Sequence, residues 1–242
     1  MGKADVRTSG MSAWVVLGLL LLITLLSYVS RMSLSVALPS ITESFGWSHI
    51  QQGRLGGILL GIFLVSYGFS NIFLSPYIDR FGARVTLTAS ALLTAVSLVL
   101  SGLFGHVYII FILARLLLGL AQGVVFPSAS QIITRNFSLQ VRSRANSIFI
   151  SGAPLGSLLT PLVITPIIIA ATWQIALYAS AVLAVLCIPP IYLLFTLIDR
   201  RAAAATVPTA PNAVLEGKAE SAGGVEEQFS IRTLLADPQF RI

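Results

Sequence analysis

The chain has 242 residues, of which 56% are hydrophobic and 10% charged, with 15 lysines and arginines against 9 acidic residues. Globular proteins carry about 25% charged residues, and a mean hydropathy of +0.90 indicates a lipid environment. The net charge of +6 does not indicate nucleic-acid binding, because the basic residues stand singly between apolar runs. One cysteine and two histidines exclude a disulfide framework and argue against a metal site. We therefore expect a multi-spanning membrane protein with no metal, cofactor or nucleic-acid partner.

Six apolar segments are long enough to cross the hydrocarbon core of a bilayer, which takes about 20 residues of helix. They do not alternate polar and apolar residues, as the strands of a membrane β-barrel do. The predicted fold class is therefore an all-α membrane protein with one bundle of six transmembrane helices. The predicted spans are Trp14–Val36, Gly53–Leu74, Val85–Phe104, Val107–Ala129, Ser147–Ala170 and Trp173–Leu197.

The distribution of basic residues predicts the topology, because short cytoplasmic loops are enriched in lysine and arginine. Basic residues precede the first span, separate spans two and three and spans four and five, and follow span six: Lys3, Arg7, Arg80, Arg84, Arg135, Arg142, Arg144, Arg200 and Arg201. The opposite loops carry few charges. Both termini are therefore predicted to be cytoplasmic, in a plasma or inner membrane.

Changes of composition along the chain predict its domain organisation. We expect a cytoplasmic N-terminus over residues 1–13 and the six-helix bundle over residues 14–198. Residues 199–230 are rich in alanine, proline, glycine and glutamate, which is typical of a disordered cytoplasmic linker. Hydrophobicity resumes over residues 231–242, which we interpret as a stub leading toward a missing seventh helix.

Arg31 lies inside the first predicted span, where a charge costs about 2.5–3.5 kcal/mol or more. At helical spacing it shares one face with four hydroxyl-bearing residues, Thr24, Ser27, Tyr28 and Ser35. This polar stripe suits a water-filled cavity in which the guanidinium binds a carboxylate or a phosphate. Equally, the side chain could extend to the outer headgroups. The spacing leaves both interpretations open.

Arg115 is the second intramembrane arginine, and it shares a face of span four with Gly119, Gln122 and Phe126. It is either functional or a hydrogen-bonding centre for backbone carbonyls. Small residues recur at four-residue spacing and predict close helix approach at Gly53-Gly57-Gly61, Gly119-Gly123 and Gly152-Gly156. The spans contain no histidine pair, carboxylate pair or nucleophile with a base, so we do not expect an enzyme.

The loop between spans two and three resembles the signature loop of the major facilitator superfamily, which reads Gly-x-x-x-Asp-Arg-x-Gly-Arg-Arg/Lys. Asp79, Arg80, Gly82 and Arg84 match this pattern, whereas Ser75 and Ala83 depart from it. Arg115 and Gly119 resemble the second motif of the superfamily. The resemblance implies two six-helix halves, each made of two inverted three-helix repeats, with the substrate site between the halves.

More narrowly, the chain is similar to the anion:cation symporter family, which carries small organic anions such as sugar acids and other carboxylates. The matching segments are Tyr28 to Pro39, Tyr67 with Asn71, Gly119 to Pro127, Asn136 to Asn146, Gly152 to Gly156 and Trp173-Gln174. The chain would then be the N-terminal half of a transporter, with a C-terminal six-helix half or another half-transporter as its partner. The other partners implied are the organic anion and the lipid bilayer.

The resemblance also assigns roles to individual residues. It implies that Arg31 binds the anion and that Tyr67, Asn71 and Gln122 orient it. A conformational latch on the cytoplasmic side would be formed by Asp79, Arg80, Gly82 and Arg84, and Arg115 would have a structural or coupling role.

Two departures from the family affect coupling. Ser30 and Gln122 stand where the family usually has acidic residues that handle protons. This puts proton coupling through this half in doubt. The alternative from a different class is a non-transporting membrane fragment, or a half-size interaction subunit that needs a partner half.

Overall fold

The computed structural model describes the backbone of residues 10–205 and the side chains of residues 14–200. Every regular element in this part of the chain is helical. Lys3, Arg7, the predicted stub and most of the predicted linker lie outside the described residues.

Six helical segments have the length and apolar composition to cross a membrane, which confirms the predicted number of spans. Spans 1 to 6 are Trp14–Phe45, His49–Phe73, Ala83–Phe104, Tyr108–Asn136, Leu139–Ala170 and Trp173–Arg200. The underlying helices are Gly10–Phe45, His49–Gln51, Gly57–Phe73, Tyr77–Phe81, Ala83–Phe104, Tyr108–Gly123, Val125–Asn136, Leu139–Ala170, Trp173–Val185 and Ile188–Ala205, with a π-helical turn over Gln52–Gly56. The five-residue helix Tyr77–Phe81 forms the loop between spans 2 and 3.

Several helices continue beyond the predicted spans. Span 1 passes through Pro39 and ends at Phe45, because Ala37 and Ile41 are fully buried against the bundle. Gly46 then adopts a φ of 64°, which favours glycine and turns the chain. At the other end of the bundle the last helix continues to Ala205, past the predicted boundary at residue 198. Hydropathy marks the apolar part of a helix, whereas backbone hydrogen bonding continues through its polar ends.

The spans pack in a limited set of pairs. Span 1 packs on spans 5 and 6, span 2 on span 4, and span 3 on spans 4 and 6. This packing gives two buried apolar clusters, and span 1 contributes to both. Ile23 belongs to one cluster and Leu34 to the other. The stretch of span 1 between these two residues contains Arg31, which is therefore near the middle of the bundle.

Glycines allow the closest helix approaches at two of the three predicted places. A Cβ atom at Gly152 would lie 2.8 Å from the carbonyl oxygen of Leu21 in span 1. At Gly123 it would lie 2.6 Å from the carbonyl oxygen of Tyr67 in span 2. The third series is a wrong prediction, since a Cβ at Gly53, Gly57 or Gly61 meets no described atom within 4 Å. Spacing alone does not tell which face of span 2 meets another helix.

Candidate functional site

A small cleft lies between spans 1, 2 and 4 and contains three of the residues that the sequence proposed for anion binding. We call it the Arg31 cleft. Its lining consists of Thr24, Ser27, Tyr28, Arg31, Tyr67, Gln122, Val125 and Phe126. The cavity volume is about 10 Å³, the space of about one water molecule. The described bundle therefore provides one wall rather than an enclosed site for an organic anion.

The guanidinium of Arg31 lies among three aromatic rings. Its central carbon is 4.2 Å from the ring centroid of Tyr67, 4.6 Å from that of Phe63 and 4.9 Å from that of Tyr28. These distances are typical of cation–π contacts. The buried Nε atom of Arg31 has no hydrogen-bond partner among the described residues. The side chain thus bends toward aromatic neighbours within the bundle, which favours the cavity interpretation over extension to the headgroups.

The acidic residues of the described part of the chain lie away from this cleft. Glu43, Asp79 and Asp199 are all exposed at or beyond the ends of spans, and the lining of the Arg31 cleft contains no acid. The charge of Arg31 is therefore not balanced by a carboxylate from the described bundle.

Gln122 and Tyr67 reach the cleft, but Asn71 and Ser30 do not line it. The side-chain nitrogen of Gln122 donates to the carbonyl oxygen of Ser27 over 3.3 Å, which orients the amide beside Arg31. The amide nitrogen of Asn71 donates to the carbonyl oxygen of Gly123 over 3.2 Å, so it joins span 2 to span 4. The hydroxyl of Ser30 lies 3.1 Å from the carbonyl oxygen of Ser180, so position 30 faces span 6.

Arg115 is buried separately from the Arg31 cleft. Its side chain is 2% exposed, and its Nε and Nη2 atoms have no hydrogen-bond partner among the described residues. The nearest aromatic contact is the ring of Phe111, at 5.9 Å from the guanidinium carbon. The predicted hydrogen-bonding centre is therefore not seen for these two nitrogens.

The predicted latch residues lie at the end of the bundle that carries most of the arginines, which we call the basic end. Asp79 accepts hydrogen bonds from the side chains of Gln131 and Arg135 in span 4, with 3.1 Å to Arg135 Nη2. Arg84 places its guanidinium carbon 4.6 Å from the ring centroid of Tyr192 in span 6. Asp79 thus attaches the loop to span 4, and Arg84, at the start of span 3, contacts span 6.

Gly82 and Arg80 complete this loop. Gly82 has a φ of 82°, a conformation that residues with a Cβ rarely adopt, and it links the loop helix to span 3. Arg80 is exposed. The described residues contain no cluster of three or more histidine, cysteine, aspartate or glutamate side chains that could hold a metal ion.

A comparison with known families shows which family the chain belongs to. The sequence profile described as Major Facilitator Superfamily matches residues 20–240. The chain belongs to the Major Facilitator Superfamily. This is a superfamily of membrane transporters, and the six apolar helices of the described bundle agree with that assignment.

Individual relatives agree with the superfamily. The probable sulfoacetate transporter SauU of Cupriavidus necator is 33% identical over 160 residues, which cover 66% of this chain and 36% of the relative. The human voltage-gated purine nucleotide uniporter SLC17A9 is 31% identical over 184 residues, covering 74% of this chain and 41% of the relative. The chain therefore spans about two fifths of the length of these curated relatives.

A solved structure shares the fold. It is the crystal structure of a bacterial homologue of the human lysosomal transporter Spinster in an inward-facing conformation, with a TM-score of 0.60 and 19% identity. The match covers 78% of this chain and 43% of that chain. At this identity the likeness concerns the superfamily fold alone.

Four residues at these sites were not predicted from the sequence: Phe63, Gln131, Arg135 and Tyr192. In the sequence, Arg135 served only as one of the basic residues that predict the topology. Phe63 lies four residues before Tyr67 and so shares its helical face, which is the signal in the sequence that could have found it. In this member of the Major Facilitator Superfamily, the partners Gln131, Arg135 and Tyr192 are found only when the spans are packed together.

Proposed function

We propose that this bundle forms the anion-binding side of a secondary transporter for small organic anions. Arg31 would bind the anionic group, and Tyr67 and Gln122 would orient the substrate beside it. The observation that carries the proposal is the buried Nε of Arg31, which has no hydrogen-bond partner among the described residues. An oxyanion bound to Nε and a neighbouring guanidinium nitrogen would satisfy this donor in the planar geometry that arginine prefers.

The charge of the cleft supports an anion as the ligand. Its lining contains one cation and no acid, and a charge inside a membrane protein is costly unless it is compensated. The names of the two relatives point the same way, because sulfoacetate and purine nucleotides are both organic anions. Binding measurements with several anions identify which of them this chain accepts.

We further propose that transport needs a second six-helix bundle facing the Arg31 cleft. The cleft has a volume of about 10 Å³, so an anion bound at Arg31 contacts one wall, and a facing bundle has to close over it before it can be carried across the membrane. Alternating access would then come from movement of the two bundles around the site. Asp79, Arg80, Gly82 and Arg84 would help to close the cytoplasmic side, since they lie at the basic end with the Asp79–Arg135 pair.

The packing pairs support two inverted three-helix repeats within the bundle. In such a repeat, spans 1, 2 and 3 correspond to spans 4, 5 and 6. The contact between spans 1 and 5 then has its counterpart in the contact between spans 4 and 2, and the contact between spans 3 and 4 has its counterpart in that between spans 6 and 1. All four contacts are present. The pair of spans 3 and 6 maps onto itself. We propose from the even number of spans and from the basic end that both termini are cytoplasmic.

Anion binding can be tested through protein stability. The purified chain is placed in lipid nanodiscs, and its melting temperature is measured with sulfoacetate, succinate, gluconate and benzoate, which we call the anion panel. A ligand that binds only the folded state at 100 times its Kd adds about 2.7 kcal/mol of stability. We expect at least one panel anion to raise the melting temperature, and Arg31→Gln to abolish the shift.

Arg54→Gln is the matched control, because Arg54 is an exposed arginine at the other end of span 2 from the basic end. It should keep the anion-dependent shift. The proposal is wrong if no panel anion stabilises the chain, or if Arg31→Gln and Arg54→Gln behave alike. A chain that binds no anion would instead fit the interaction-subunit alternative.

The requirement for a second bundle has its own test. The 242-residue chain is reconstituted alone in proteoliposomes with an imposed gradient and the anion panel. We expect no saturable, gradient-driven accumulation, because a single wall cannot be sealed alternately on two sides. Accumulation by the chain alone would contradict the requirement and leave the binding proposal intact.

A further inference from the structure

We propose that the aromatic rings around Arg31 position its guanidinium for the anion, and that Phe63 is the decisive ring. The inference rests on the proposed function of Arg31 in anion binding. We call Tyr28, Phe63 and Tyr67 the Arg31 cage. Phe63 does not line the Arg31 cleft, so it acts on the anion only through Arg31 and is a positioning residue.

The geometry of the cage brings three rings to one cation. All three ring centroids lie 4.2–4.9 Å from the guanidinium carbon of Arg31. Phe63 stacks on Tyr67 with their centroids 5.9 Å apart and an interplanar angle of 29°. Tyr28 meets Phe126 edge to face at 6.1 Å. Phe63 and Tyr67 therefore support each other, and Phe126 supports Tyr28 from outside the cage.

The backbone that carries the cage is held by close helix packing. A Cβ at Gly156 of span 5 would lie 2.7 Å from the Cβ of Tyr28. A Cβ at Gly119 of span 4 would lie 2.5 Å from the carbonyl oxygen of Phe63 and 2.9 Å from the amide nitrogen of Tyr67. Close glycine contacts thus hold span 1, which carries Arg31 and Tyr28, against span 5, and hold span 2, which carries Phe63 and Tyr67, against span 4.

The electrostatics of the cage differ from those of an ion pair. The faces of aromatic rings are electron-rich and attract a guanidinium, and this attraction strengthens where water is excluded. In the described bundle the cage takes the place that a carboxylate would otherwise have beside Arg31. A carboxylate would compete with the anion for the in-plane nitrogen donors, whereas the rings interact without accepting those hydrogen bonds. The cage can therefore hold Arg31 in place without accepting the hydrogen bonds of its nitrogen donors.

The test compares ring removal with ring retention at position 63. Phe63→Leu keeps an apolar side chain but removes the ring face, whereas Phe63→Tyr keeps the ring. Radiolabelled members of the anion panel are titrated onto each variant in nanodiscs, and both Kd and the number of binding sites are measured. We expect Phe63→Leu to weaken binding about 5- to 30-fold, because it removes one cation–π interaction from a partly buried arginine. The number of sites should stay at the wild-type value.

Phe69→Leu is the matched control on the same span. Phe69 is 52% exposed, whereas Phe63 is 7% exposed, so removal of the Phe69 ring should leave Kd unchanged. Phe63→Tyr should bind within about threefold of wild type, since it retains the cation–π interaction. A purely structural role of Phe63 would reduce the number of sites at constant Kd.

The cage inference is overturned if Phe63→Leu binds with the wild-type Kd, if it loses only sites, or if Phe69→Leu weakens binding equally. If Phe63→Leu does not fold, the same comparison is made with Phe63→Met, which also removes the ring face, with the same expectations. Arg31→Gln separates the two proposals. Binding that survives Arg31→Gln overturns the proposed function, whereas weaker binding in Arg31→Gln together with unchanged binding in Phe63→Leu overturns the cage alone.

Discussion

Gly156 offers a sharp test of the packing that supports the Arg31 cleft. A methyl group at this position would lie 2.6 Å from the carbonyl oxygen of Leu25 and 2.7 Å from the Cβ of Tyr28. Both atoms are fixed to the backbone of span 1, so spans 1 and 5 must move apart. Overpacking of this kind costs about 1–3 kcal/mol, while glycine to alanine in a helix gains about 0.5–1 kcal/mol. We expect Gly156→Ala to lose about 1–2 kcal/mol of stability.

The loss corresponds to a decrease of about 2–8 °C in melting temperature for a chain of this size. Cys187 provides the assay, because it is the one cysteine in the sequence and is 3% exposed. A thiol-reactive fluorogenic dye therefore reports unfolding as the thiol becomes accessible. Gly61→Ala is the control, since a Cβ there meets no described atom within 4 Å. The packing argument is refuted if Gly156→Ala melts at or above the temperature of Gly61→Ala.

Three further substitutions test other parts of the fold with the same assay. Arg115→Met should raise the melting temperature by at least about 2 °C, because buried donors without partners cost about 1–3 kcal/mol. A decrease would mean that Arg115 is paired in the folded protein. Asp79→Asn should shift the melting temperature by less than about 4 °C, because the side chains of the Asp79–Arg135 pair are 71% and 65% exposed. A larger decrease would show that the pair stabilises the fold. Gly82→Ala should lower the melting temperature, because a backbone φ of 82° costs residues other than glycine about 1–3 kcal/mol. An unchanged melting temperature would contradict a rigid turn at Gly82.

The number and type of spans could be predicted because membrane-crossing helices need long apolar runs. Their ends could not, since a helix such as span 1 continues to Phe45 through Pro39 once Ala37 and Ile41 are buried. Which helix faces pack together could not be predicted from the sequence either. The glycine series at Gly119 and Gly152 have close neighbours, whereas the series at Gly53 does not, although the spacing is the same.

The resemblance brought together Arg31, Tyr67 and Gln122, and all three line one cleft. Asn71 shares a helical face with Tyr67, but its amide is taken by the carbonyl oxygen of Gly123 on the facing span. Phe63 lies on the same helical face as Tyr67, four residues earlier, but this spacing does not tell that both rings meet Arg31 of another span. Such partners across spans depend on tertiary packing, which local periodicity does not encode.

The central claim is that Arg31 binds the anionic group through its planar nitrogen donors. Equilibrium binding of the anion panel to wild type and Arg31→Lys tests it most directly, because lysine keeps the charge but loses the planar arrangement of donors. Hydrogen bonds to charged groups contribute about 1.5–3 kcal/mol. We predict that Arg31→Lys raises the Kd of the bound anion by about tenfold or more, with the number of sites unchanged. A wild-type Kd in Arg31→Lys would contradict the claim and move the anion site away from the Arg31 cleft.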